Sequence, residues 1–103
     1  MTESVELFVA DNHPSFDGHF PGQPIVPGAL LIDLAVRAVE KASGHAVIGI
    51  AQGKFLSPAT PGEPLMLHFE TTATSVRFDI ETRAADKARK LASGRFTLRA
   101  KSA

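Results

Sequence analysis

The chain has no cysteine, no tryptophan and no tyrosine in its 103 residues. Lacking cysteine, it has no disulfide, no zinc–thiolate site and no thiol nucleophile. Lacking Tyr and Trp, it offers only phenylalanine, seven residues of it, as an aromatic surface. Such rings carry no hydroxyl or indole N–H to orient a polar ligand. No apolar run approaches the ~20 residues that cross a bilayer as a helix. The opening Met1-Thr2-Glu3-Ser4-Val5-Glu6 is acidic and lacks the basic and apolar regions of a signal peptide. A soluble, cytoplasmic protein is the expectation, with no membrane partner. Hydrophobic residues make up 44% and charged residues 21%, an ordinary globular composition. The length suits one small domain, residues 1–103, whose modest core an oligomer would reinforce.

Net charge is zero, but it is unevenly spread. Residues 1–76 carry three basic and eight acidic side chains, whereas residues 77–103 carry eight basic and three acidic. A basic C-terminal third can attract an acidic partner. Nucleic acid is not expected, because no aromatic residues interleave with these cations and no recognition motif is present.

Hydrophobic periodicity divides the chain into six elements. Ser4 to Ala10 alternates, with Val5, Leu7 and Val9 on one face, and reads as a strand. Asp11 to Pro27, with four prolines and two glycines, reads as a structured loop. Gly28 to about Ser43 is helical, with Asp33, Arg37, Glu40 and Lys41 as its polar stripe and Gly44 as its stop. Apolar residues cover most of its circumference, which predicts a helix largely enclosed by other structure. Strands are expected over Ala46–Leu56, Leu65–Ala73, Val76–Glu81 and Lys90–Ala100, with turns at Ser57–Pro64 and Ala84–Ala88. The fold class is therefore α+β: an antiparallel sheet wrapped around one long central helix.

The densest chemical signal is His19-Phe20-Pro21-Gly22-Gln23-Pro24-Ile25-Val26-Pro27-Gly28, which runs straight into the helix. Three prolines and two glycines in ten residues make a stiff loop that fixes a helix N-terminus in place. Pro27 suits the first helical turn, where a missing N–H costs nothing. Gly28 lets a ligand approach the backbone, and the free amides and dipole of the helix end suit an oxygen that gains negative charge. His19 is the natural base, because imidazole titrates near neutrality. Asp33, more than one turn into the helix, can protonate a leaving hydroxyl directly or through water. The three parts fit β-elimination of water from a 3-hydroxyacyl thioester. This chemistry needs no metal and no organic cofactor. Phe16 and Phe20, with Pro27 and Arg37, are expected to line a substrate pocket for the acyl chain.

This segment, with Gly18 before it and Asp33 after it, resembles the 3-hydroxyacyl-acyl-carrier-protein dehydratases of bacterial fatty-acid synthesis. Lys54-Phe55, Pro58 and Pro61-Gly62-Glu63-Pro64-Leu65 resemble that family's second strand and following turn. The resemblance covers most of residues 4–100 and implies the hot-dog fold. By position it implies that His19 is the catalytic histidine, Asp33 the catalytic carboxylate and Gly28 the oxyanion glycine. It further implies an acyl carrier protein as the substrate-bearing partner, and a homodimer in which the histidine and carboxylate of one site come from different subunits. The short length and the Phe16–Pro24 wording are more similar to the compact dehydratases of aryl-polyene pigment clusters.

The chain departs from the family's pattern at Arg37, where glutamine is usual. An arginine four residues after Asp33 can pair with it on the helix surface. A carboxylate held in that pair serves better to orient a water than to give up a proton. Two other functions fit the same residues. A hot-dog thioesterase would use a carboxylate and the helix end to activate water, and His19 would be dispensable. A non-catalytic subunit would bind acyl chains or complete a heteromeric assembly. None of the four histidines stands at metal-ligand spacing from another ligand. His68 falls mid-strand, opposite the apolar face. Ser57, Ser75 and Ser93 lack the Gly-x-Ser-x-Gly elbow of a serine hydrolase.

Overall fold

The computed structural model describes residues 2–8, 28–59, 64–82 and 88–99. Within these, the chain runs β1 (Thr2–Leu7), α1 (Gly28–Ser43), β2 (Val47–Phe55), β3 (Leu65–Thr71), β4 (Ser75–Thr82) and β5 (Arg89–Leu98). The strands form one antiparallel sheet in the order β1-β3-β4-β5-β2. Among the described residues no helix is long and apolar enough to cross a membrane. The loop Asp11–Pro27, and with it His19, Phe16, Phe20 and Pro27, lies outside the described residues, as does most of the turn expected at Ala84–Ala88.

The concave face of the sheet supplies the core. Leu65, Leu67 and Phe69 from β3, Val76, Phe78 and Ile80 from β4, and Phe96 and Leu98 from β5 are all buried, as strict alternation requires. Leu31, Ala35 and Val39 form the stripe of α1 that meets them. The rings of Phe78 and Phe96 stack with centroids 4.3 Å apart. The helix ends at Gly44, whose φ of 75° suits a residue without Cβ and whose N–H reaches the Glu40 carbonyl at 2.9 Å. Glu40 then ties the helix to β2, its carboxylate accepting the Val47 N–H at 2.9 Å.

Three details differ from the sequence reading. The described strand β1 starts at Thr2, because β3 extends far enough to pair Thr2 with Glu70. The face of β3 expected to include Thr71 and Ala73 stops at Phe69: both later residues are exposed, at the start of a tight turn held by the Thr72 hydroxyl accepting the Ser75 N–H at 3.1 Å. Among the described residues the helix is covered on one side only. Leu30, Ile32, Leu34 and Val36 are only partly buried, because a five-stranded sheet curls past one face of a helix and leaves the other open.

Two features of β5 bear on the site. Ile80 pairs with Ala92 but Glu81 pairs with Lys90, so Leu91 is an extra residue in the ladder. Both Leu91 and Ala92 are buried, and the Leu91 carbonyl accepts the N–H groups of Leu56 at 2.8 Å and Ser57 at 3.4 Å. The bulge thus anchors the end of β2. Gly94 faces inward opposite Phe78, where a Cβ would collide with the Gln52 carbonyl and lie 3.0 Å from the Phe78 ring. Gly94→Ala is expected to cost about 1–3 kcal/mol by overpacking, read as a lower urea midpoint with an unchanged m-value.

Candidate active site

Gly28 is the first residue of α1, and the opening turn of this helix carries no acidic side chain. Its leading amides have no partner within the helix, and the dipole adds partial positive charge there. This amide end opens onto an apolar cavity of about 620 Å³, lined by Gly28, Leu31, Phe55, Leu56, Pro58 and Ala59. The Phe55 ring lies across Gly28, its edge atoms 2.8 Å from where a Cβ would stand. Any larger residue at position 28 must push that ring aside. The ring is held there because the Leu91 bulge fixes Leu56 and Ser57 immediately after it.

Asp33 occupies another side of the same helix, about 7.5 Å along the axis and about 140° around it from Gly28. Neither Asp33 nor Arg37, the latter expected to line the substrate pocket, is among the described residues that line the cavity, because both stand on the helix's exposed stripe. The Asp33 carboxylate pairs with the Arg37 guanidinium at 3.0 Å, the i,i+4 contact the spacing predicts, with side chains 51% and 76% exposed respectively. Within one protomer, therefore, Gly28 faces the cavity while Asp33 and Arg37 face outward. His19, Phe16, Phe20 and Pro27 fall outside the described residues, so their distances to Gly28 and Asp33 are not part of this geometry.

Of the five phenylalanines described, Phe69, Phe78 and Phe96 are core, but Phe8 and Phe55 are exposed. Phe55 closes over the helix end rather than entering the core. Periodicity misses this role, because position 55 sits at the end of an edge strand and meets the helix tip only in the folded chain. Phe55 belongs to an exposed apolar group with Ile48, Ile50 and Leu56 along β2, which has β5 as its single neighbour in the sheet.

A long helix laid against a five-stranded antiparallel sheet, with its amide end open to an acyl-sized cavity, defines a hot-dog protein. Comparison with known proteins narrows the class. A model of the ApeI-like family, described as ApeI dehydratase, matches residues 2–95. The chain belongs to that family. A 3-hydroxyacyl-[acyl-carrier-protein] dehydratase, FabZ, of Chlamydia trachomatis is 34% identical over 80 residues, covering 67% of this chain and 52% of its own. The chain spans about half the length of the curated relatives it matches. Among solved structures, a protein of Erwinia carotovora subsp. atroseptica superposes with a TM-score of 0.82 at 28% identity, over 96% of this chain and 83% of the other. The dehydratase heterocomplex ApeI:P of Xenorhabdus doucetiae superposes with a TM-score of 0.77 at 25% identity, over 94% and 86%.

Proposed function

We propose that the chain, as one hot-dog domain over residues 1–103, removes water from 3-hydroxyacyl thioesters carried on an acyl carrier protein, giving 2-enoyl thioesters. The observation that carries this reading is the amide end of α1 at Gly28, opening onto an apolar cavity roofed by Phe55. His19 takes the α-proton. The Gly28 N–H steadies the thioester oxygen as it gains charge, an interaction worth roughly 3–4 kcal/mol of barrier in comparable sites. The carbon–oxygen bond then breaks, and the hydroxyl leaves as water with a proton from Asp33 or from a water that Asp33 and Arg37 orient. No metal or organic cofactor enters these steps. Family membership, with FabZ among the relatives, supports the same chemistry.

The site is completed between protomers. Asp33 faces away from the cavity of its own chain, and β2 is an outermost strand carrying Ile48 and Ile50, each 56% exposed. A second copy, or a related subunit as in the Xenorhabdus heterocomplex, covers this surface and brings its own loop to Asp33. The carrier protein is acidic, and the cationic side chains of residues 77–103 suit it. The reading places the protein in the cytoplasm.

Purified protein, given a 3-hydroxyacyl thioester of carrier protein or pantetheine, is expected to form the conjugated 2-enoyl product. No enoyl product above that of His19→Ala overturns the reading. Free thiol released at a rate that His19→Ala leaves unchanged identifies a thioesterase instead. Gly28→Ala is expected to lower kcat/KM by about 10²-fold, because its methyl group displaces the Phe55 ring and shifts the reacting carbonyl.

A further inference from the structure

The outer face of the sheet, away from α1, carries a hydrogen-bonded chain of three side chains that the proposed dehydration does not use. Antiparallel pairing sets Ser4 of β1 directly across from His68 of β3, and Glu81 of β4 one step diagonal to it. Ser4 Oγ lies 2.7 Å from His68 Nδ1, and His68 Nε2 lies 2.8 Å from Glu81 Oε1. An ionised carboxylate can only accept, so the ring hydrogen sits on Nε2. In the neutral ring Nδ1 then presents its lone pair to the Ser4 hydroxyl, which donates. This is the order nucleophile, base, orienting carboxylate. Accessibility follows the same order. Ser4 is exposed, while the His68 and Glu81 side chains are 30% and 17% exposed. A separate cavity of about 330 Å³ adjoins the hydroxyl, with Pro64 and Met66 giving it an apolar wall beside Ser4, Glu6 and His68. Apolar lining beside a hydroxyl suits a short alkyl chain whose carbonyl reaches Ser4.

We infer that Ser4 is an acyl-accepting nucleophile that takes a short acyl group from an activated ester or thioester. Ser4 Oγ forms a bond to the acyl carbon while its proton passes to His68 Nδ1. The carbon–oxygen or carbon–sulfur bond to the leaving group then breaks, and His68 returns the proton to the departing alkoxide or thiolate. Glu81 holds the imidazole in the accepting tautomer and steadies its charged form. The backbone around His68 is paired with β1 on one side and β4 on the other, so it offers no converging amides for the oxyanion. The expected outcome is therefore one stable acyl group per chain rather than rapid turnover.

The test is labelling of the full chain with p-nitrophenyl acetate and p-nitrophenyl butyrate, followed by intact mass and peptide mapping. Ser4 is expected to acylate about 10²-fold faster than the hydroxyls of Thr2, Ser57 or Ser75 in the same molecule. His68→Gln is expected to bring Ser4 down to the rate of those hydroxyls, and Glu81→Gln to slow it partially. Ser4→Ala removes the fast adduct. Labelling of Ser4 no faster than its neighbours overturns the inference without recourse to any variant. Equal labelling in His68→Gln, folded by circular dichroism, overturns it as well. Neither result bears on dehydration at α1, which a 3-hydroxyacyl thioester reads separately.

Discussion

Replacing His19 with alanine is expected to lower kcat/KM for a 3-hydroxyacyl thioester by about 10³-fold, within the roughly 10²–10⁴-fold range of a positioned general base. By transition-state arithmetic, that loss corresponds to about 4 kcal/mol. The step at stake is removal of a carbon-bound proton, which water accepts poorly. In the proposed reaction the Gly28 amide would lower the cost of the charge that appears on oxygen, but it could not itself take the proton. The loss should therefore fall on kcat rather than KM, because the proposed reaction assigns binding to the cavity beneath Phe55 and proton removal to the imidazole. Urea unfolding of the variant should match the parent. A variant that folds normally and retains more than about a tenth of parental kcat would remove His19 from the role of base.

The largest expected effect on stability is at Phe78. Its ring is buried, stacks on Phe96 at 4.3 Å, and sits in a space that Gly94 keeps open. Phe78→Ala removes a large apolar surface and leaves a cavity that β4, hydrogen-bonded on both sides, cannot collapse to fill. The expected loss is about 3–5 kcal/mol. A small domain is typically stable by about 5–15 kcal/mol, so a large share of the total is at risk. Phe78→Leu, which keeps most of the volume, should lose clearly less. Urea unfolding followed by circular dichroism measures both, and equal midpoints for the two variants would contradict the packing account.

The elements most legible in the sequence are those whose pattern is local. The helix Gly28–Ser43 and its stop at Gly44 follow from apolar spacing and a glycine. The strand β4 follows from Val76, Phe78 and Ile80 alternating with Arg77, Asp79 and Glu81. The Asp33–Arg37 pair follows from a spacing of four on a helix. What depends on register between distant strands is not legible in this way. Nothing in the residues near Leu91 announces a bulge, because the extra residue is defined by what β4 presents opposite it. Phe55 reads as one more strand residue until α1 delivers Gly28 beneath it. His68 can be placed on the polar face from alternation alone. Its neighbours Ser4 and Glu81 lie 64 and 13 residues away in sequence and meet it through pairing alone.

The surplus residue at Leu91 joins two jobs that are usually tuned apart. One side of it is sealed in the interior, while its carbonyl grips the tail of β2 that carries the aromatic cover of the helix tip. Shortening or lengthening the chain by one unit there would slide that cover relative to the opening beneath it. A single insertion or deletion at this position is thus expected to reshape the opening with every pocket-lining side chain left as it was.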